Sequence, residues 1–128
     1  MNILGIDYGK KKIGLAIAST MLAEAYDVVR YETIEEAIEK IKKVVQVEQV
    51  EKVVIGISEG KMAEETKKFV IRLRGEIGKP IVFQDETLST QTAQTLSREA
   101  GINRKKRRQL EDAYSAALIL QEYLDRNG

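Results

Sequence analysis

The chain of 128 residues contains no histidine, no cysteine and no tryptophan. Imidazole is the usual general base near neutral pH and the commonest metal ligand in proteins. Its absence therefore excludes Ser-His-Asp triads and histidine-based zinc hydrolysis. The absence of cysteine excludes disulfides, a thiol nucleophile and zinc held by thiolates. Any catalysis must depend on carboxylates, lysines, hydroxyls or metal ions held by oxygen ligands.

Long apolar runs are absent as well. No stretch approaches the roughly 18 apolar residues that a membrane span needs. The N-terminus also lacks the basic start and apolar middle of a signal peptide. We therefore expect a cytoplasmic protein with no membrane partner. The length, with 43% hydrophobic and 32% charged residues, predicts a single globular domain over residues 1–128.

The net charge of +1 conceals two clusters of basic residues that hold eight of the 21 lysines and arginines. The clusters are Lys10, Lys11 and Lys12, and Arg104, Lys105, Lys106, Arg107 and Arg108. Such clusters suit a polyanion, because each phosphate that they neutralise releases counterions. For either cluster alone, solvated loop charge is the alternative. Because both flank candidate acidic residues, we expect them to contact nucleic acid.

The hydrophobic pattern predicts three strands followed by alternating helices and strands. The predicted strands are Asn2–Asp7, Ile13–Ser19, Tyr26–Glu32, Lys52–Ser58 and Pro80–Asp85. Helices are predicted after Thr33, which begins a capping box with Glu36, around Phe69–Ile77, over Ser89–Ala100 and from about Arg107 to Leu124. The order βββαβαβαα predicts an α/β fold with a mixed five-stranded sheet flanked by helices. The ribonuclease H-like architecture has this order.

Three carboxylates fall at the ends of predicted elements. Asp7 ends the first strand, Glu86 follows the strand that ends at Asp85, and Asp112 lies near the start of the last helix. On that helix Asp112 shares a mostly apolar face with Ala116, which predicts that it points towards the sheet. Three carboxylates at one sheet edge would repel one another without cations. A pair of Mg²⁺ or Mn²⁺ ions would relieve that repulsion and form a two-metal phosphodiesterase site.

Each residue also has a simpler explanation. Asp7 and Gly9 in the pattern D-x-G are typical of a turn, and Glu86 is compatible with a helix start. Asp112 could be an acid favoured by the helix dipole. The joint placement of the three residues is what favours a metal site. Asp85 is a weaker candidate, as an acceptor beside that site.

Three motifs, in this order, resemble the YqgF/RuvX family of Holliday junction resolvase-like proteins and pre-16S rRNA nucleases. The family pattern D-x-G-x-x-x-I-G-x-A is present at Asp7–Ala16, and its D-E-R-x-S-T block corresponds to Asp85–Thr90. Its closing D-x-x-x-A-x-x-I-L helix corresponds to Asp112–Leu120. The first motif is weak alone, but the three together are specific and cover essentially the whole chain.

The resemblance implies a ribonuclease H-like fold, divalent-metal nuclease activity and a role in processing the 5′ end of pre-16S rRNA. Carried over position by position, it places Asp7, Glu86 and Asp112 in the metal site. Two departures concern substrate handling. The family's G-L-P is Gly56-Ile57-Ser58 here, and the arginine of its D-E-R-x-S-T block is Thr87. Threonine cannot replace arginine as a bidentate phosphate donor.

Two other functions are compatible with parts of the pattern. An actin-like kinase or ATPase also places an Asp-x-Gly sequence after a strand, but it needs two lobes and this chain has room for one. A ribonuclease H-like module that binds nucleic acid without cleaving it is the second alternative. Within the nuclease interpretation, precursor rRNA and branched DNA both remain candidate substrates. No sequence feature distinguishes a monomer from a weak homodimer.

Overall fold

The computed structural model describes residues 2–57, 61–85 and 104–127. Within these ranges the chain forms five strands and three helices. The strands are β1 (Asn2–Asp7), β2 (Lys12–Ala18), β3 (Glu24–Arg30), β4 (Val50–Ile57) and β5 (Ile81–Asp85). The helices are α1 (Ile34–Val47), α2 (Lys61–Ile77) and α3 (Arg104–Asn127). The helix predicted over Ser89–Ala100 lies outside the described residues.

The five strands form one sheet in the order β3-β2-β1-β4-β5. Strand β2 is antiparallel to both β1 and β3, whereas β1, β4 and β5 run parallel. The predicted mixed five-stranded sheet flanked by helices is therefore confirmed. The antiparallel part consists of β1, β2 and β3, which follow one another directly in the chain. Helices α1 and α2 form the crossover connections that lead to the parallel strands β4 and β5.

Local sequence explains where the first helix begins. Thr33 is its N-cap, and the Thr33 hydroxyl accepts a hydrogen bond of 3.2 Å from the amide of Glu36, as the capping box predicts. Its buried residues are Ala37, Ile38, Ile41 and Val45, which share one face at helical spacing. That face packs on the sheet beside Phe69 and Leu73 of α2.

The two faces of the sheet carry different side chains, because successive residues of a strand point to opposite faces. The face under α1 and α2 is lined by bulky residues: Leu4, Ile6, Ile13, Leu15, Val53 and Ile55. The face under α3 is lined mainly by small ones, among them Gly5, Gly14, Ala16, Ala18 and Gly56. Helix α3 consequently approaches the sheet closely. At Gly5 an added Cβ would lie 2.8 Å from Leu120 Cβ.

Candidate functional site

The carboxyl ends of β1, β4 and β5 meet at one edge of the sheet, because these three strands are parallel. Asp7 is the last residue of β1 and Asp85 is the last residue of β5. In open sheets with parallel strands, ligands bind at the carboxyl ends of those strands. This edge of the sheet is therefore the candidate functional site.

Asp7 lies on the α3 face of the sheet. Leu4 and Ile6 belong to the core under α1 and α2, so alternation places Asp7 on the opposite face. Its cross-strand neighbour is Gly14 of β2. A side chain at Gly14 would overlap the backbone carbonyl of Asp112, so the helix backbone sits directly on this glycine. The close approach at Gly14 thereby brings Asp112 beside the strand position that pairs with Asp7.

The carboxylate of Asp112 forms an ion pair with Lys12, the first residue of β2. The distance between Lys12 Nζ and Asp112 Oδ2 is 3.1 Å, and the Asp112 side chain is 28% exposed. Asp112 therefore faces a partly open edge and already has a cation beside one of its oxygens. The sequence predicts that Asp112 points towards the sheet, and its side chain contacts Lys12 at the start of β2.

The remaining acidic candidates lie differently. Glu86 lies outside the described residues, directly after Asp85 in the sequence. Asp85 pairs with Ile57, which alternation places on the face under α1 and α2, so Asp85 points away from the face of Asp7. Its neighbour Gln84 is on the α3 face and is 6% exposed. Among described residues, the side-chain amide nitrogen of Gln84 has no hydrogen-bond partner.

The carboxylates of Asp7 and Asp112 are of the chemical type that holds a divalent cation. Across residues 2–57, 61–85 and 104–127, no three acidic side chains lie close enough to hold a metal ion. Asp7 and Asp112 would be two ligands of the hard oxygen type that Mg²⁺ and Mn²⁺ prefer. The ammonium group of Lys12 stands where a cation would contact Asp112.

The first basic cluster divides between two places. Lys12 is paired with Asp112, whereas Lys10 and Lys11 line an open groove of about 700 Å³. We call this the basic groove, and its lining residues are Lys10, Lys11, Arg30, Tyr31, Glu32, Glu36 and Lys40. Arg30 faces Lys12 across the β2–β3 pairing, so the groove lies at the same end of the sheet as the candidate site. The second cluster, Arg104–Arg108, forms the first turns of α3, and its side chains lie outside the described set.

Tyr31 fixes the wall of the basic groove. Its amide donates a hydrogen bond of 3.1 Å to the carbonyl of Lys11, and its hydroxyl donates to the carbonyl of Gly9. Burial and a hydrogen bond with Tyr8 raise the pKa of Tyr31 well above its ordinary value. Tyr8 in turn stacks on Phe69 with ring centroids 4.6 Å apart. The loop between β1 and β2 is thus held to the core by Tyr31 and Tyr8.

Four residues of this region were missed by reasoning from sequence alone: Gly14, Arg30, Tyr31 and Lys40. A glycine inside a strand pattern is a known indication of close backbone approach, so Gly14 carried a usable signal. Arg30 becomes adjacent to Lys12 only through the register of β2 and β3. Lys40 reaches the groove from α1, where its Nζ donates to the carbonyl of Arg30 at 2.8 Å. No sequence signal identified these last contacts.

Comparisons with known proteins agree with this geometry. The family model described as "RuvX: Holliday junction resolvase" matches residues 1–126. A relative from Halothermothrix orenii named "Putative pre-16S rRNA nuclease" is 37% identical over 133 residues, covering 98% of this chain and 95% of that relative. A relative from Moorella thermoacetica with the same name is 35% identical over 136 residues, covering 100% of this chain and 97% of that relative.

Solved structures show the same fold at low sequence identity. The RuvC protein of T. thermophilus, in complex with a Holliday junction substrate, matches with a TM-score of 0.65 and 18% identity, covering 98% of this chain and 94% of that chain. The Fowlpox virus resolvase, in complex with Holliday junction DNA, matches with a TM-score of 0.65 and 12% identity, covering 98% of both chains. The predicted ribonuclease H-like fold is confirmed. None of the described helices is long and apolar enough to span a membrane. The match of the family model over nearly the whole sequence means that this chain belongs to the RuvX family.

Proposed function

We propose that the protein is a cytoplasmic, single-domain nuclease that cleaves phosphodiester bonds of precursor 16S rRNA with Mg²⁺ or Mn²⁺. Asp7, Glu86 and Asp112 would hold the metal, with two ions as the expected number. A bound divalent cation would supply activation of a water molecule and stabilisation of the leaving oxygen. The protein would supply the carboxylates and the cations that orient the phosphate backbone.

The close approach of α3 to β2 at Gly14 is the observation that carries this proposal. It supports a site in which Asp112 and Asp7 act together, because the Asp112 backbone rests on the residue that pairs with Asp7. Two carboxylates on one face of the carboxyl edge form a charge arrangement that a cation would stabilise. Both lie in sequence motifs of the family. Glu86 joins the proposal from its place in the D-E-x-x-S-T block.

Basic residues around this edge fit contact with a nucleic acid. We propose that Lys10, Lys11 and Lys12 and the helix start at Arg104–Arg108 contact phosphates of the substrate. Phosphate contacts position a substrate without reading its sequence. Branched DNA therefore remains the alternative substrate, as the family description suggests.

The test measures cleavage of labelled pre-16S rRNA and of a four-way DNA junction, with Mn²⁺ or with EDTA. We expect cleavage that requires Mn²⁺ and is abolished in Asp7→Asn and Asp112→Asn. Asp27→Asn removes the same charge from an exposed position on β3 and should cleave like the wild type. The substrate that is cut decides between rRNA processing and junction resolution.

A binding module without turnover is the second candidate, and the Lys12–Asp112 ion pair favours it. A carboxylate already neutralised by a lysine is less available to a metal. Tight binding of either substrate with no cleavage under any metal would establish this function and contradict the nuclease.

A further inference from the structure

We propose that the basic groove beside β3 binds the sugar–phosphate backbone of the substrate and leads it to the carboxyl edge. This inference rests on the proposed function, and it names a surface that extends beyond the basic clusters visible in the sequence. It assigns a binding role to Arg30 and predicts that the substrate crosses β2 and β3 rather than β4 and β5.

The groove lies at the same end of the sheet as the candidate site. Lys10 and Lys11 follow Asp7 in the β1–β2 loop, and Arg30 pairs with Lys12, whose ammonium contacts Asp112. From β1 to β3 the distance is two strand spacings, about 10 Å. A backbone in the groove would therefore lie near the end of the strand that carries Asp7.

The charges of the groove are available to a ligand. Among described residues, the side chains of Lys10, Lys11 and Arg30 make no ion pair, and all three are exposed. By contrast Lys40, Lys42, Arg72 and Arg126 each have a carboxylate partner. Unpaired cations gain the most from a polyanion, because no existing interaction has to be broken.

The two acidic residues of the groove do not cancel this charge. Glu36 is paired with Lys40 at 3.0 Å, and the hydrogen bond from Lys40 holds the pKa of Glu36 below its ordinary value. That pair is therefore neutral in sum at physiological pH. Glu32 offsets one of the three remaining cations. The groove keeps a net positive charge next to the carboxylates of the site.

The groove is also held in a defined shape. Tyr31 is 7% exposed and fixes the β1–β2 loop through its hydrogen bonds to Lys11 and Gly9. Lys40 Nζ donates to the Arg30 carbonyl at 2.8 Å, which ties α1 to the end of β3. A preformed surface loses less conformational entropy when it binds a ligand. The groove thus differs from isolated lysines on a helix surface.

The test compares two triple variants that remove the same charge. The first, Lys10→Gln, Lys11→Gln and Arg30→Gln, removes the unpaired cations of the groove. The control, Lys67→Gln, Lys68→Gln and Lys79→Gln, removes exposed lysines of α2 and of the turn after it, which also make no ion pair among described residues. Binding of labelled pre-16S rRNA and of a four-way DNA junction is measured by fluorescence anisotropy in EDTA, at several salt concentrations.

We expect the groove variant to bind about 10- to 100-fold more weakly near physiological salt, with the slope of log affinity against log salt reduced by about 2 to 3. Arg30→Gln alone should reduce that slope by about 1, and Glu32→Gln should strengthen binding. The control triple should bind like the wild type. Circular dichroism confirms that each variant is folded.

The outcomes separate this inference from the proposed function. If wild-type protein binds and cleaves nucleic acid but the groove variant binds equally well, the groove is overturned and the nuclease stands. Equal weakening in both triples would indicate a general charge effect and would also overturn the groove. If wild-type protein binds neither nucleic acid, both proposals fail.

Discussion

The two faces of the sheet are built in opposite ways. Under α1 and α2 the strands present large side chains such as Ile6, Ile13 and Leu15, all fully buried. Under α3 the same strands present Gly5, Gly14 and other small residues, and the helix backbone lies against them. The first face stabilises the fold by burying apolar area. The second brings α3, which carries Asp112, close to the end of β1.

Because the two faces differ, adjacent residues of β2 contact different parts of the molecule. Ile13 fills the core, while Gly14 leaves room for the carbonyl of Asp112. Lys12, one residue earlier, reaches the carboxylate of the same aspartate. The position of Asp112 therefore depends on the absence of a side chain at Gly14 as well as on the ammonium group of Lys12.

The most severe test of this comparison is Gly14→Ala. The new methyl group would overlap the helix backbone, which cannot move aside as a flexible side chain could. We expect a loss of about 3 kcal/mol in the free energy of unfolding, measured in urea, since overpacking typically costs about 1 to 3 kcal/mol and a clash with backbone lies at the upper end. Metal-dependent cleavage should fall as well, because α3 must shift away from β1.

Two controls sharpen that result. Gly75→Ala adds the same methyl group to a glycine of α2 with open space around it, and should stabilise slightly through helix propensity. Ile13→Val removes a methyl from the other face and should cost about 1 kcal/mol without changing cleavage. If Gly14→Ala is as mild as Gly75→Ala, the close approach of α3 is not as described.

A smaller effect is expected for Lys12→Met. The half-exposed ion pair with Asp112 contributes about 0.2 to 1 kcal/mol. A metal that binds Asp112 competes with the ammonium group for the carboxylate, so removal of the lysine should tighten Mn²⁺ binding about two- to fivefold, measured by isothermal titration calorimetry. Lys11→Met is the control, because its side chain has no ion pair among described residues. Weaker Mn²⁺ binding in Lys12→Met would mean that Lys12 orients Asp112 for the metal instead.

Much of this architecture was predictable from the sequence, and the exceptions have physical reasons. Strand β1 occupies the predicted residues because apolar Ile3–Ile6 is bounded by Asp7 and Gly9. Strand β3 begins and ends two residues earlier than predicted, because its bounds are set by pairing with β2, which runs from Arg30 opposite Lys12 to Glu24 opposite Ile17. Helix α3 begins at Arg104 rather than Arg107, because basic residues continue a helix without an apolar signal.

Contacts between distant elements could not be predicted in this way. The sequence motifs identified Asp7 and Asp112, but the Lys12–Asp112 pair depends on how α3 crosses β2. The basic groove likewise depends on the register that places Arg30 beside Lys12. Periodicity reports which face of its own element a residue occupies, and it contains no information on the neighbouring element.

The smallest expected effect is a change in the pKa values of two exposed carboxyls of α1. These values test whether a change at the candidate site alters the structure on the α1 and α2 face. The hydrogen bond from Lys40 lowers the pKa of Glu36, and the hydrogen bond from Arg72 lowers the pKa of Glu35. A carboxyl whose pKa is lowered by folding stabilises the protein above its unfolded pKa. That contribution is lost as the pH falls through the folded pKa, here on the acid side of 4.5.

Lys40→Met should return the pKa of Glu36 towards 4.5 and leave that of Glu35 lowered, as followed by carboxyl NMR titration. Both carboxyls are fully exposed, so the accompanying change in stability should be close to the limit of measurement. Glu35 serves as the internal control, because its partner Arg72 is untouched. A shift of both pKa values in Lys40→Met would show that α1 itself had moved. In Gly14→Ala the pKa values of Glu35 and Glu36 should both stay lowered, because the displaced helix α3 lies on the opposite face of the sheet. A change in either pKa would mean that the two faces of the sheet are coupled.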